Sequence, residues 1–163
     1  MSRRKKAYRA KPCVCGSETI YRECCGPYHE GEPAPDATAL MRSRYSAYAL
    51  GLSDYIISTT LLGGEAWRAD EASWRSSLKD FARDYYFGGV EIIDTNNEMT
   101  RASVTFRAVL RQRGKDHSFT ERSEFQRAGD RWRYVRGDVE EAPVLEREHA
   151  CCGGPSCIHR SNT

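Results

Sequence analysis

Four of the seven cysteines fall within thirteen positions near the beginning of the chain. They are Cys13, Cys15, Cys24 and Cys25, in the spacing C-x-C-x8-C-C. Four thiolates that converge on one point form a tetrahedral site for a soft metal ion. Adjacent cysteines such as Cys24 and Cys25 have poor geometry for a disulfide to each other. The spacing therefore predicts a metal-binding knuckle, and this constraint decides how residues 13–35 can fold.

The knuckle (residues 13–35) is too short and too polar to form a hydrophobic core, so we expect the metal to provide its ordering free energy. Zinc suits four thiolate ligands, and iron is the alternative because it uses the same ligands. A site closed by four protein ligands has no open coordination position, which indicates a structural metal. A set of reduced or redox-active thiols is the other interpretation. We expect a Cys24→Ser substitution to release the metal and unfold the knuckle while the rest of the chain stays folded.

The charge of the chain is unevenly distributed. Residues 1–12 contain six basic side chains and no acidic one, so the rest of the chain has a small excess of acidic side chains. We expect this basic tail to be disordered. It either contacts a nucleic acid, a ribosome or an acidic partner, or it remains a solvated tail that aids solubility.

The sequence also limits where the protein can reside. No apolar run approaches the roughly 20 residues needed to span a bilayer. The basic beginning of the chain is not followed by the apolar segment of a secretory signal. We therefore expect a cytoplasmic protein, in which thiols stay reduced and clustered cysteines bind metal more often than they form disulfides.

Beyond residue 35 the apolar pattern is first helical and then alternating. Asp36 is a candidate N-cap for a helix that ends at Gly51, and further helices are predicted from Ser53 to about Leu61 and from about Asp70. The alternation predicts strands at residues 90–94, 102–110, 117–126 and 132–140, with turns at 96–97, 114–115 and 129–130. Helices followed by an antiparallel meander predict an α+β fold, with the helices packed on one face of a curved sheet.

The predicted organisation has four parts. They are the basic disordered tail (1–12), the zinc knuckle and linker (13–35), the α+β cone (36–140) and a cysteine-containing tail (141–163). The aromatic residues Tyr45, Tyr48, Trp74 and Trp132 are predicted to form part of the core of the cone, which argues against a nucleic-acid surface built from them.

Four stretches of the chain resemble known proteins. CVCGS at positions 13–17 and CCGPY at positions 24–28 resemble the SEC-C zinc motif, which is known at the C-terminus of the SecA preprotein translocase motor. LMRSRYSAY at positions 40–48 and ERSEF at positions 121–125 resemble the YchJ family of bacterial proteins. In that family an N-terminal SEC-C motif precedes a domain like nuclear transport factor 2. The resemblance covers about residues 13–140.

The resemblance implies that Cys13, Cys15, Cys24 and Cys25 are the metal ligands and that the cone has the nuclear-transport-factor-2-like fold. The family is largely uncharacterised. In SecA, this motif resembles a surface to which a chaperone or a ribosome docks. The resemblance therefore implies a non-catalytic adaptor linked to protein export or quality control, whose knuckle contacts a protein or ribosomal partner. The cone would then bind a peptide, a small ligand or a second copy of the chain in a homodimer.

A second cysteine cluster lies near the end of the chain. Its residues are Cys151, Cys152, Cys157 and His159, in the order C-C-x4-C-x-H, with His149 as an alternative ligand. Members of the family often have a second SEC-C motif here, but this spacing departs from it. Three thiolates and an imidazole can bind a metal. The alternatives are a frayed tail with unligated thiols and a thiol-based metal or redox sensor.

The interior of the cone is the candidate site for small-molecule chemistry. Glu121 and His117 are predicted to share a strand face with apolar residues, which makes them candidates for an acid/base pair in a cyclase-like or isomerase-like enzyme. The alternative is a buried ion pair, for example between Glu121 and Arg44, that only stabilises the fold. Arg136 and Asp138 near the end of the last strand leave the same two alternatives open.

Overall fold

The structure of the protein is a computed structural model that describes residues 10–140. In this range a 3-10 turn at Tyr21–Glu23 precedes the helices α1 (Gly26–His29), α2 (Ala37–Leu50), α3 (Ser53–Ser58) and α4 (Glu71–Asp84). The strands β1 (Tyr86–Asn97), β2 (Arg101–Gln112), β3 (Lys115–Asp116), β4 (Phe119–Ala128) and β5 (Arg131–Glu140) follow. Helices first and an antiparallel sheet second is the predicted α+β order, which is confirmed.

Helix α2 has the boundaries that the sequence predicts. Asp36 is its N-cap, and the Asp36 Oδ1 accepts a hydrogen bond from the backbone N–H of Ala39 at 2.7 Å. The helix ends at Leu50, with Gly51 as its C-cap. Helix α4 is likewise capped by the side chain of Asp70. Local capping chemistry therefore sets where both of the long helices begin.

Helix α3 is shorter than the sequence predicts. It ends at Ser58 instead of about Leu61. Thr60 instead forms a parallel bridge with Tyr134 of β5, and the backbone N–H of Leu61 donates to the Tyr134 carbonyl at 2.8 Å. The chain leaves the helix early because β5 offers hydrogen-bond partners that the sequence pattern does not reveal.

The sheet has the strand order β1-β2-β4-β5, and every pair is antiparallel. Short strand β3 pairs with the end of β2. Along β2 the inward residues are buried, as the alternation predicts: Ala102, Val104, Phe106, Ala108 and Leu110. The sheet therefore has one apolar face against the helices and one largely polar face.

Strand β1 is longer than the predicted segment at residues 90–94. The prediction of a turn at Asn96-Asn97 is wrong, because both residues pair with β2, opposite Ser103 and Ala102. The chain turns at residues 98–100 instead, and the backbone N–H of Glu98 donates to the Arg101 carbonyl at 2.8 Å. Pairing along the whole length of β2 outweighs the turn preference of two asparagines.

Helix α2 is buried on most of its surface. It contacts the sheet, the other helices and the knuckle, and its buried residues include the polar Ser43, Arg44 and Ser46. Cys13, Cys15, Tyr21 and Cys25 of the knuckle belong to the same hydrophobic cluster as Leu40, Met41, Tyr45, Phe87 and Val90 of the cone. A smaller cluster joins α3 to α4 through Ile56, Ile57, Trp74 and Leu78. Knuckle and cone therefore share one core.

Within residues 10–140, no helix is long and apolar enough to cross a membrane.

The N-cap of α2 provides a test of the fold. Asp36→Ala leaves the Ala39 N–H without its acceptor, so we expect the free energy of unfolding to fall by about 1 kcal/mol. Urea denaturation followed by tryptophan fluorescence measures this change. Asp36→Asn is the matched control, because its amide oxygen can still accept the bond. Equal losses in the two variants would show that the cap does not stabilise the helix.

Candidate functional site

The knuckle folds back on itself before α1. The backbone N–H of Cys13 donates to the Thr19 carbonyl and that of Tyr21 donates to the Lys11 carbonyl, both at 2.8 Å. Pro12 and Ile20 form an isolated antiparallel bridge between them. The 3-10 turn that follows leads directly into Cys24 and Cys25. These contacts bring the first cysteine pair next to the second.

The four sulfur atoms form a compact group. All four Sγ atoms of Cys13, Cys15, Cys24 and Cys25 lie within 4.8 Å of one another. The Cys15 and Cys24 sulfurs are 3.6 Å apart and the Cys24 and Cys25 sulfurs are 3.8 Å apart. A tetrahedral metal with metal–sulfur bonds of about 2.3 Å separates its ligands by about 3.8 Å. The geometry therefore fits a four-thiolate metal centre, and the cysteines are free thiols and not disulfides.

Burial closes the centre to solvent. Cys13, Cys15 and Cys25 are 4%, 0% and 1% exposed, and Cys24 is partly buried. The Ser17 hydroxyl lies 3.0 Å from the Cys24 sulfur, and the Ser46 hydroxyl lies 3.8 Å from the Cys13 sulfur. Four protein ligands complete a tetrahedron, so a metal held here has no position for a substrate.

Without a metal the thiols do not share their protons equally. Hydrogen bonds from Cys13 and then Cys25 lower the pKa of the Cys15 thiol. The hydrogen bond to Cys15 raises the pKa of Cys13 to about 11. Hydrogen bonding to Cys13 and Cys15, together with burial, raises the pKa of Cys25. The hydrogen bonds therefore favour a thiolate at Cys15, and binding a metal cation requires Cys13 and Cys25 to release their protons.

The knuckle is hydrogen-bonded to β1 and α2. The Cys15 carbonyl accepts from the backbone N–H of Val90 at 3.2 Å and from the Arg42 guanidinium at 3.3 Å. Gly16 and Gly89 face each other here. A Cβ on Gly89 would lie 3.7 Å from the Gly16 Cα, and both glycines have positive φ, of 82° and 120°. Glycine is suited to both positions, because L side chains rarely adopt such backbone angles.

His29 joins the end of the knuckle to α2. Its Nε2 donates to the Ser43 carbonyl at 2.7 Å, and its Nδ1 lies 2.7 Å from the Tyr21 hydroxyl, within hydrogen-bond distance. A carbonyl can only accept, so Nε2 carries a proton. The imidazole ring also packs edge-on against Tyr55, with ring centroids 4.6 Å apart. The sequence did not single out His29, because nothing in its spacing relates it to the cysteines.

A second candidate site is a cavity of about 380 Å³ between the sheet and the helices. Aromatic residues form much of its wall. They are Tyr45, Tyr48, Trp74, Phe81, Phe87, Phe106, Phe119 and Tyr134. The charged residues on its wall are Arg44, Arg68 and Glu121. A mostly apolar cavity with a few polar groups is typical of small-molecule sites.

Glu121 does not pair with Arg44. Its Oε1 accepts from the Ser123 hydroxyl at 2.6 Å and from the Tyr134 hydroxyl at 3.3 Å, and no ion pair to Glu121 occurs among residues 10–140. Burial raises the pKa of Tyr134, and the nearby Glu121 charge raises it further, so Tyr134 remains a hydrogen-bond donor. The Arg44 guanidinium instead lies over the Tyr134 ring, 4.4 Å from its centroid.

His117 and Glu121 do not come together in the cavity. His117 precedes β4, is exposed, and packs against Tyr85 with ring centroids 5.6 Å apart. The predicted common face fails at His117 because the chain between β3 and β4 is not extended strand. Arg136 pairs with Glu124 at 2.9 Å and with Asp138 at 3.4 Å, away from the cavity wall.

The four aromatic residues that the sequence assigns to the core of the cone are all at least partly buried. Tyr45, Trp74 and Trp132 are buried, and Tyr48 is partly buried. The second cluster, at Cys151, Cys152, Cys157 and His159, lies outside the described residues, as do residues 1–9 of the basic tail. Its metal binding therefore stays a prediction.

The solved structures that resemble this chain include two proteins with a SEC-C motif. A SEC-C motif containing protein from Rhodopseudomonas palustris has a TM-score of 0.66 and 32% identity, covering 79% of this chain and 98% of that protein. A SEC-C motif containing protein from Psychrobacter arcticus has a TM-score of 0.67 and 24% identity, covering 83% and 86%, which shows the shared fold. The class of protein is thus an α+β domain with a cluster of four cysteines at its amino-terminal side.

The family follows from two sequence comparisons. Residues 36–137 match the family model described as the middle NTF2-like domain of YchJ. A UPF0225 protein of Bordetella pertussis is 39% identical in an alignment over 131 residues that covers 78% of this chain and 92% of that protein. The chain belongs to the YchJ-like family, and the resemblance noted in the sequence is confirmed.

Gly137 provides a test of the cavity geometry. A methyl group there would overlap with the Glu121 carboxylate and the Tyr134 hydroxyl. We expect Gly137→Ala to lower the free energy of unfolding by about 1–3 kcal/mol. Adding Glu121→Ala removes one of the overlapping groups, so the double variant should recover part of this loss. Chemical denaturation of both single variants and the double variant measures the coupling, and strictly additive losses would contradict the described placement.

Proposed function

We propose that the protein is a zinc-binding, non-catalytic adaptor. The observation that supports this most directly is the group of four sulfur atoms within 4.8 Å of one another, three of them almost fully buried. Zinc prefers this tetrahedral thiolate set, and iron is the alternative occupant. Because all four coordination positions come from protein, the metal's role is to hold the knuckle in shape.

The contacts of the knuckle revise one expectation from the sequence. The sequence alone predicted that loss of the metal would unfold residues 13–35 and leave the cone folded. The sulfurs, however, pack in the same hydrophobic cluster as Leu40, Tyr45 and Phe87. Separating the knuckle from this cluster would expose apolar surface of the cone, so we propose that the metal also stabilises α2 and β1.

The adaptor role requires an accessible surface on the knuckle. Thr19, Arg22 and Glu23 are exposed, while the metal ligands beneath them are not. A metal centre of this kind fixes the shape of the loop whose outer side chains a partner can recognise. We propose a protein or ribosomal partner that contacts this loop, with the basic residues 1–12 adding electrostatic attraction.

The alternative function, an acid/base enzyme, depends on His117 and Glu121 lying together in the cavity, and the structure does not bring them together. His117 packs outside the cavity and Glu121 lines it. Glu121 is hydrogen-bonded by Ser123 and Tyr134, which is also what a structural carboxylate requires. These contacts favour the adaptor over an acid/base enzyme. The thiol-based sensor alternative depends on the final cysteine cluster, outside the described residues.

Metal content provides the first test. We expect native mass spectrometry of the purified chain to show bound zinc, and Cys24→Ser to lower the number of bound ions by one. Cys157→Ser is the matched control, because it removes a thiol that does not belong to the knuckle and should leave this ion in place. A wild-type chain without metal, or an unchanged ion count in Cys24→Ser, would contradict the zinc centre.

Partner contact provides the second test. A photo-crosslinking residue placed at Arg22 samples the knuckle surface, and one placed at Met99 samples the turn between β1 and β2. Both positions are exposed, so they are matched in accessibility. We expect crosslinks in cells to one protein or ribosomal partner from position 22 and at least about tenfold fewer of them from position 99. Equal yields from both positions would contradict recognition through the knuckle.

A further inference from the structure

The cavity of the cone contains a charged group that the adaptor role does not use. Arg44 lines it and is only 3% exposed. Among residues 10–140, no carboxylate lies within ion-pair distance of its guanidinium. A buried cation without a carboxylate partner is costly, and such groups in proteins are normally paired or hydrogen-bonded.

Within residues 10–140, only one of the three guanidinium nitrogens of Arg44 has hydrogen-bond acceptors. Nη1 donates to the Ile56 carbonyl at 3.0 Å, to the Thr59 hydroxyl at 2.7 Å and to the Thr60 hydroxyl at 3.3 Å. These bonds join Arg44 to the end of α3 and explain why a cation is tolerated there. Nε and Nη2 have no hydrogen-bond acceptor within the part of the chain that the structure describes. The Tyr134 ring stabilises the charge from one face without accepting those N–H bonds.

The other residues that line the cavity indicate which kind of ligand could accept hydrogen bonds from Nε and Nη2 of Arg44. Two cations, Arg44 and the exposed Arg68, and one carboxylate, Glu121, give the wall a positive balance. The Glu121 charge already receives two hydroxyl hydrogen bonds. An anion would therefore find unused donors at Arg44. The aromatic residues around it favour an apolar body over a highly polar one such as a phosphate ester.

We propose that this cavity binds a small organic carboxylate with an aromatic or aliphatic body. The carboxylate accepts the paired N–H groups of Arg44 Nε and Nη2, an arrangement that matches the planar fork of a guanidinium. The apolar body lies among Trp74, Phe81 and Phe119. This site is separate from the metal centre, and its existence does not depend on whether the knuckle binds a partner.

The test uses three probes of nearly the same shape. They are 3-phenylpropanoate, the uncharged 3-phenylpropanamide and the cationic 3-phenylpropylamine, each titrated into the metal-loaded full-length chain at one pH and ionic strength. Two-dimensional NMR with 15N-labelled protein reports the affinity and the affected residues. We expect the carboxylate to bind at least about tenfold more tightly than the amide, as for the loss of a charge-assisted hydrogen bond. Its shifts should concentrate on the residues that line the cavity.

Two kinds of variant locate the binding. Arg44→Gln removes the charge and should weaken the carboxylate at least about tenfold while changing the affinity of the amide little. Because Arg44→Gln can also disturb folding, Ser77→Trp provides a second route, since Ser77 lines the cavity and is exposed on α4. The new indole should block entry. Ser76→Trp is its matched control, being exposed on the same helix but outside the cavity wall.

The outcomes separate clearly. Tighter binding of the carboxylate, lost in Ser77→Trp and retained in Ser76→Trp, supports the proposal. Tighter binding of the amine would assign recognition to Glu121 and would overturn it. Equal binding of all three probes, shifts outside the cavity, or no saturable binding at millimolar concentration would overturn it as well.

Discussion

The packing of the knuckle's sulfur atoms into the core of the cone is the interaction on which this structure depends. The knuckle has no hydrophobic core of its own. Its buried cysteines contact residues of α2 and β1 and so complete the main cluster of the molecule. Hydrogen bonds lower the pKa of the Cys15 thiol, whereas the pKa values of the Cys13 and Cys25 thiols are raised, so a metal cation that binds the group has to displace protons from these two thiols. A metal that binds all four would therefore stabilise the knuckle and the adjoining edge of the cone together.

Helix α2 joins the two candidate sites. On one side it contacts the knuckle, through the Ser43 carbonyl that accepts from His29 and through Ser46 beside the Cys13 sulfur. On another side it lines the cavity with Arg44 and Tyr48. This double role explains why the helix is buried on most of its surface and why its buried polar groups are hydrogen-bonded. It also places the cysteine cluster and the cavity against one helix, although each site has its own chemistry.

Much of the fold could be predicted from the sequence because local signals and tertiary contacts agree. The caps at Asp36 and Gly51 and the alternation along β2 each specify one local structure. The predictions failed where distant contacts decide: Asn96 pairs with β2 instead of turning, and His117 leaves the strand face that it was expected to share with Glu121. The cysteine spacing predicted four candidate metal ligands that come together, but it could not show that they join the core. A cation on the apolar face of α2 was a visible signal for the cavity, but its neighbours Thr59, Thr60 and Tyr134 come from other elements.

Hydrogen exchange tests the central claim most directly, because it reports each segment separately. Amide exchange would be measured by mass spectrometry on the metal-loaded chain before and after a zinc chelator is added. The account predicts that chelation removes protection from residues 13–35 and also from β1 near Val90, whose N–H donates to Cys15, and from the first turns of α2. Strands β4 and β5 should lose less. Loss of protection confined to residues 13–35, with α2 and β1 unchanged, would contradict the claim that the metal centre stabilises the cone.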